Sequence, residues 1–218
     1  MSDQLATAPQ WQPPAGTLTV VAAHPDDETF GAGGLIHSWA QAGHEVVVIT
    51  VTDGEGARTD LAEPGTVRRR ELRAALSCLS DRHLQWHRLG IPDGEVTSRI
   101  PFVEGAIKTR LLNGGTLIVP FEHDGHPDRE ATARVCIDLA RRKGMSVLRY
   151  PIFAWQTGTP ELWQSLDLVR FDLSAAAQLA KSRAIRCFAS QLDGTSSDAV
   201  MSTHLLGYFS RPYEGFLR

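Results

Sequence analysis

Short β-branched apolar runs alternate with amphipathic runs along most of this chain, and that alternation restricts the fold more than any other feature. Thr17–Ala23 (TLTVVAA), Glu45–Val51 (EVVVITV), Leu84–Leu89, Thr116–Val119 (TLIV), Ser146–Phe153 and Leu168–Leu173 read as strands. Gly33–Ala42 reads as a helix with Leu35, Ile36 and Trp39 on one face. Arg68–Leu79 carries Leu72, Ala75, Leu76 and Leu79 at helical spacing under an arginine-rich outer face. Ile100–Leu112 is a helix closed by Gly114 and Gly115, and Pro127–Arg142 has Pro127 in its first turn and Gly144 past its last. Ser174–Phe188 is the last long helix. This order predicts one α/β domain, a three-layer sandwich around a mostly parallel sheet covered on both faces. Residues 1–16 are expected to be a flexible, proline-rich arm before a domain at 17–218, of which 190–218 is turn-rich and carries no assignable element.

Composition agrees and excludes several classes. At 218 residues, 42% apolar and 22% charged, the chain has enough apolar side chains for one core and is not disordered. A net charge of −3 gives no reason to expect nucleic acid or an anionic membrane surface as partner. No apolar run approaches the ~20 residues of a membrane span. The start, MSDQLATAPQ, lacks a basic and apolar leader. Cys78, Cys136 and Cys187 are far apart and form no CxxC, so a reducing, cytoplasmic setting is expected, with each cysteine a small packing residue.

In an open α/β sheet, ligands bind at the carboxyl ends of the strands. Four such ends are dense in carboxylates and imidazoles: His24-Pro25-Asp26-Asp27-Glu28, Thr52-Asp53-Gly54-Glu55-Gly56, Gly90-Ile91-Pro92-Asp93-Gly94, and His123-Asp124-Gly125-His126-Pro127-Asp128. If the strands are as read, the four loops converge. The first places one imidazole and three carboxylates in five residues. A divalent cation is the simplest compensation for that charge, and a His nitrogen with carboxylate oxygens suits Zn2+ or Fe2+. Adjacent Asp26 and Asp27 point different ways, so one is placed for metal and the other for a water, as a general base. The bland alternative is a strand-end turn with solvated acids and a capping Asp. For the fourth loop it is helix capping by acids at an N-terminus.

With those residues in view, the chain resembles the LmbE/PIG-L family of metal-dependent N-deacetylases. AHPDDE follows the first strand, TDGEG the second, and GHPD opens a later helix. Arg68-x-x-Glu71-Leu72, Gly90-Ile91-Pro92-Asp93-Gly94, and Lys181 through Ser190-Gln191 resemble further motifs of the family, so the likeness spans about Thr17 to Gln191. The resemblance implies a Rossmann-like fold and one Zn2+ or Fe2+ per chain held by His24 and Asp27. It implies Asp26 as base on a metal-bound water and His126, if protonated, as partner of the oxyanion. Arg68 and Asp93 would contact substrate. The substrate class implied is an N-acetylated amino sugar conjugate, cleaved to a free amine and acetate.

One position departs from the pattern. The family's G-H-P-D-H ends in the third metal ligand, and this chain has Arg129 there. A guanidinium has no free lone pair and cannot ligate zinc. Three readings follow. His126 or His123 serves as third ligand. Alternatively, His24 and Asp27 alone hold metal weakly. In the third, the Arg129 guanidinium replaces the metal's charge, neutralises Asp26 and Asp27 and binds an anionic ligand, making a non-hydrolytic carbohydrate- or anion-binding protein.

Other features have simpler readings. Gly31-Ala32-Gly33-Gly34 lacks dinucleotide-loop spacing and is expected to serve close helix packing. The loop from Gly54 to Gly65 is placed to act as a lid or a plain connection. Trp155 and Trp163 suit either a sugar-stacking platform or the core, and His204 or Glu214 of the tail could reach the site.

Overall fold

The computed structural model describes residues 2–57, 60–111, 115–192 and 201–218. Seven strands form one sheet: β1 Leu18–Ala22, β2 Val46–Thr52, β3 Leu84–Ile91, β4 Thr116–Pro120, β5 Ser146–Tyr150, β6 Leu168–Asp172 and β7 Tyr213–Leu217. Their spatial order is β3-β2-β1-β4-β5-β7-β6. β1 to β5 pair in parallel, whereas β7 is antiparallel to both of its neighbours. The helices are α1 Ser2–Thr7, α2 Asp27–Gln41, α3 Pro64–Leu79, α4 Ile100–Lys108, α5 Pro127–Lys143, α6 Ala154–Thr157, α7 Pro160–Gln164, α8 Ala175–Ile185, α9 Ala189–Leu192 and α10 Thr203–Phe209. The single α/β domain expected from the alternation is the fold found.

Strand alternation divides the interior into two layers. Val20, Val46, Val48 and Ile118 face the core shared with Leu35 and Ile36 of α2 and Leu72 and Leu76 of α3. Val21, Val47, Ile49, Leu117 and Val119 face the core shared with Val103 and Ile107 of α4 and Val135 and Leu139 of α5. Both faces are covered, which is why these strands are continuous apolar runs rather than alternating ones.

Three expectations change. Residues 1–16 do not form a free arm. α1 stands on them, Gln10 bridges to Arg170, and Leu5, Ala8 and Trp11 are buried in the core. The tail contains β7, which inserts between β5 and β6. It escaped the sequence reading because Tyr213–Leu217 (YEGFL) is short and interrupted by Gly215. Helix α2 begins at Asp27, six residues before the periodicity starts, because its first turns pack on all sides. The expected helix closure at Leu112 and Gly114 lies outside the described residues, as does part of the Gly54–Gly65 loop.

Glycines in α2 serve close approach. A Cβ on Gly31 would lie 2.3 Å from the Tyr150 ring, and one on Gly34 would lie 2.5 Å from Leu173. The helix is kinked at Ala32 (φ −143°). There the Glu214 carboxylate of β7 accepts the N–H groups of Gly34 (2.8 Å) and Leu35 (2.9 Å) and pairs with Lys181 of α8 (2.6 Å). Glu214 is therefore a structural residue under α2. The Glu71 carboxylate of α3 likewise accepts both the N–H and the hydroxyl of Ser190, at 2.7 Å each. Trp155 and Trp163 stack on each other (4.6 Å, 10°) and are buried, so they belong to the core and form no platform. Among the described residues no helix is long and apolar enough to cross a membrane.

Candidate functional site

The strand order reverses between β1 and β4, and the polar loops meet at that switch point. β1 leads directly into His24, and β4 leads into the loop carrying Asp124, His126 and Asp128 at the start of α5. Thr52 fastens the loop after β2 beside them, its N–H and hydroxyl both donating to Ala23 O (2.9 and 2.8 Å). The result is a cleft of about 350 Å³ lined by His24, Asp26, Arg68, Asp93, His126 and Arg129, with Phe153 and Met201 on its apolar side. That volume lies in the range of small-molecule pockets.

Asp26 sits at the mouth of α2 with φ 125°, a left-handed conformation rare for a non-glycine residue and characteristic of over-determined functional positions. Arg68 holds it there. Its guanidinium donates to Asp26 Oδ2 (2.8 Å), Pro25 O (2.5 Å) and Gly54 O (3.0 Å). Asp26 Oδ1 accepts no hydrogen bond among the described residues. Burial raises the Asp26 carboxyl to about 6, against the opposing pull of Arg68. Behind it, the buried Glu28 accepts the Asp26 N–H (3.3 Å) and the Thr29 hydroxyl (2.6 Å), and desolvation pushes it up to about 8.

His24 is buried with its ring between two acidic walls. Nε2 meets Asp93 Oδ1 at 3.0 Å and Asp128 Oδ2 at 3.6 Å, while Nδ1 faces Asp27 Oδ2 at 3.4 Å and has no hydrogen-bond partner. Burial lowers this imidazole, but the surrounding carboxylates of Asp128, Asp27 and Asp93 outweigh it and raise it to about 10. Asp93 is tied down further: Oδ2 accepts Gly56 N–H (3.0 Å), and the Asp93 N–H donates to Glu55 (2.9 Å). Asp128 accepts Gly94 N–H (2.7 Å) and Val96 N–H (3.3 Å), so it anchors the Pro92–Val96 turn under the cleft.

His126 caps α5. Its Nδ1 accepts the Asp128 N–H (3.3 Å), which fixes the proton on Nε2 of the neutral ring. Burial and the nearby charges of His24 and Arg129 lower it to about 4. The condition attached to His126, that it be protonated, is therefore not met at neutral pH, where the ring is neutral with its proton on Nε2. Its ring lies 4.5 Å from that of His24.

Arg129 is buried inside the site. Nε donates to Asp27 Oδ1 (2.9 Å), one Nη donates to Asp124 Oδ2 (3.2 Å), and the guanidinium lies 4.1 Å above the Phe153 ring. Asp124 is itself held by the N–H groups of Ile152 (2.7 Å), Phe153 (3.2 Å) and Ala154 (3.1 Å). Burial favours a neutral Asp27, but Arg129 and His24 overcome it and hold that carboxyl below the usual range. The cation therefore pairs with Asp27 and Asp124; Asp26 has Arg68 instead. His123 is exposed and packs edge-on against Phe121, away from this group.

Whether a metal fits can be judged from these atoms. Two ligands on ~2.1 Å arms in a tetrahedron stand ~3.4 Å apart, and even opposed they span no more than ~4.2 Å. The His24 Nδ1 and Asp27 Oδ2 edge has that tetrahedral length, and its nitrogen is unpartnered. Among the described residues no third ligand completes that edge, and the other oxygen of Asp27 carries a guanidinium. His24, His126 and Asp128 are the group among the described residues that could hold a metal ion, with ligand atoms within 4.8 Å of one another. That spread must contract, and both Asp128 oxygens already hold backbone N–H groups. The three-ligand arrangement implied by the resemblance does not fit this site as built.

Phe153 and Met201 are lining residues that the sequence reading missed. The position of Phe153 just past β5 could have revealed it; nothing local marks Met201.

A family profile described as "PIG-L: GlcNAc-PI de-N-acetylase" matches residues 19–140. A curated relative, 1D-myo-inositol 2-acetamido-2-deoxy-alpha-D-glucopyranoside deacetylase 1 of Saccharopolyspora erythraea, is 42% identical over 73 residues, 28% of this chain. That match spans only 24% of the relative's own length. Among solved structures, a zinc-inhibited teicoplanin deacetylase superposes with a TM-score of 0.72 at 17% identity, covering 92% of this chain and 97% of its own. N,N'-diacetylchitobiose deacetylase from Pyrococcus horikoshii superposes with a TM-score of 0.65 at 21% identity, covering 93% and 83%. Both structural likenesses concern the fold.

Proposed function

Because the chain belongs to the PIG-L family of de-N-acetylases, we propose that it is an N-deacylase acting on an amino sugar conjugate, most simply an N-acetylglucosaminide. The observation that carries this reading is Asp26. It is a buried carboxylate in a strained backbone conformation at the edge of the cleft, with one oxygen fastened by Arg68 and the other left for a water.

In this mechanism a water held by Asp26 Oδ1 attacks the acyl carbon. Asp26 takes the water's proton and delivers it to the departing nitrogen, so a free amine and a carboxylate leave. A carboxyl raised to about 6 is ionised at neutral pH yet more basic than an ordinary aspartate. His126 Nε2–H donates to the oxygen where negative charge develops. Arg68 is a positioning residue, because it keeps Asp26 in its rotamer. Asp93 and Gly94 line the cleft and are assigned to the sugar. The Zn2+ or Fe2+ that the resemblance implies would lie on His24 and Asp27, where Arg129 stands; no step is assigned to it.

The test is release of a free amine from N-acetylglucosamine and from its inositol conjugate, the kind of substrate named by the curated relative. Native protein should turn over one of them and Asp26→Asn should not. Unchanged turnover in Asp26→Asn removes the assigned base. A second reading, ligand binding without turnover, is favoured by the Arg129–Asp27 pair, and saturable binding with no amine released would establish it.

A further inference from the structure

We propose that Arg129 is the resident cation of this site: it and a divalent metal are alternative occupants of Asp27, and its remaining guanidinium edge receives the acyl or carboxylate oxygen of the ligand. The ligand half of the inference rests on the amide-cleft reading above; the metal half does not.

Three observations carry it. The guanidinium is built in: two of its three nitrogens bind Asp27 Oδ1 (2.9 Å) and Asp124 Oδ2 (3.2 Å), and Phe153 packs on its face at 4.1 Å. Asp124 is in turn fixed by three backbone N–H groups, so the cation's seat is rigid. Finally, the third nitrogen of Arg129 makes no hydrogen bond among the described residues and keeps some solvent exposure, while Arg129 lines the cleft beside Asp26 and His126. A guanidinium presenting a free N–H edge into a half-closed pocket is a carboxylate and carbonyl receptor. A metal bound at the His24 Nδ1 and Asp27 Oδ2 edge would meet that same positive charge across one carboxylate. The two cations compete for one carboxylate, and in this proposal Arg129 holds it.

The experiment measures metal and ligand separately, so neither depends on turnover. Native protein, Arg129→His and Arg129→Met are dialysed against excess Zn2+, then against buffer, and metal per chain is counted by plasma mass spectrometry. Native protein is expected to keep less than ~0.1 Zn2+ per chain and Arg129→His about one, since a histidine supplies a second nitrogen as the third ligand. About one tightly held Zn2+ in native protein overturns the proposal without any variant. Acetate, the simplest ligand with the right oxygens, is then titrated by NMR into chelator-treated native protein and Arg129→Met. A charged hydrogen bond lost from a buried site should weaken acetate by ~10-fold or more. Equal acetate binding by both proteins overturns the ligand half. If Arg129→Met does not fold, Arg129→Lys is used; it keeps the charge but loses the two-pronged seat, and undiminished acetate binding by that variant likewise counts against the proposal. Native protein that binds acetate yet releases no amine from any N-acetyl sugar would leave this inference standing and remove the deacylase reading.

Discussion

Replacing Arg129 by methionine should destabilise the fold by an amount that the surrounding atoms set. The substitution keeps an unbranched apolar stem over Phe153 but strands two buried carboxylates, Asp27 and Asp124, each with no side-chain exposure. Removing one partner of a buried ion pair typically costs ~3–5 kcal/mol. Both acids keep other donors: Asp27 retains the His24 N–H at 3.0 Å, and Asp124 retains three backbone N–H groups. The loss should therefore fall near the lower end, ~3 kcal/mol, which for a domain of this size is a drop in Tm of roughly 6–12 °C. Urea unfolding of native protein and Arg129→Met, followed by tryptophan fluorescence, measures it. Adding Asp27→Asn to Arg129→Met should restore part of the loss, because the second change removes a stranded charge, and the double-mutant cycle isolates that coupling. A loss below ~1 kcal/mol, or purely additive changes, would show that the guanidinium is solvated and not buried against Asp27 as the geometry has it.

Three further outcomes are expected. Asp26→Asn should lower amine release at least ~100-fold while the urea midpoint holds or rises, since general base catalysis is worth ~10²–10⁴ and the wild-type carboxylate is desolvated. Gly31→Ala should cost ~1–3 kcal/mol, because its Cβ would lie 2.3 Å from Tyr150, and pairing it with Tyr150→Leu should recover much of that; full native stability in the single variant would contradict the packing. The chain should lose stability as pH rises from neutrality into the alkaline range. Glu28, raised from 4.5 to about 8, holds a proton when folded that it has released when unfolded, so its penalty grows as pH climbs from 4.5 through 8. His24, raised from 6.5 to about 10, contributes stability that is complete below 6.5 and lost as pH rises through 10. Unfolding midpoints from pH 6 to 9 test this, and Glu28→Gln should flatten the lower part of the slope.

Much of this architecture is visible in the chain because its strands are buried on both faces. Val46–Thr52 can be read as nothing but a central strand, and the helices with clear stops, Pro127 before and Gly144 after, are found within a residue or two. What escapes is held by distant partners. The kink of α2 is held by Glu214, 180 residues away, which accepts the Gly34 N–H, and no local window contains that contact. β7 is recruited by its neighbours rather than by propensity. α1 and Trp11 are ordered by the Arg170 backbone and the aromatic rings of Phe171 and Phe216. In the site, the convergence of four loops follows from strand order alone. The direction of Arg129 does not: the same residue could have pointed to solvent from the first turn of α5. Only the three backbone N–H groups that fix Asp124 show why it turns inward. The tautomer of His126 is likewise set by a capping hydrogen bond, and its neutrality by burial beside His24 and Arg129, neither of which residue type alone reveals.

Which cation occupies the heart of the cleft would be shown directly by a crystal soaked with both N-acetylglucosamine and Zn2+, with data collected on either side of the zinc absorption edge. The predicted result is Arg129 on Asp27 and Asp124, the acetyl oxygen within ~3 Å of the free guanidinium nitrogen, and no anomalous peak at His24. A full-occupancy zinc peak between His24 Nδ1 and Asp27 Oδ2, with Arg129 swung away, would contradict it.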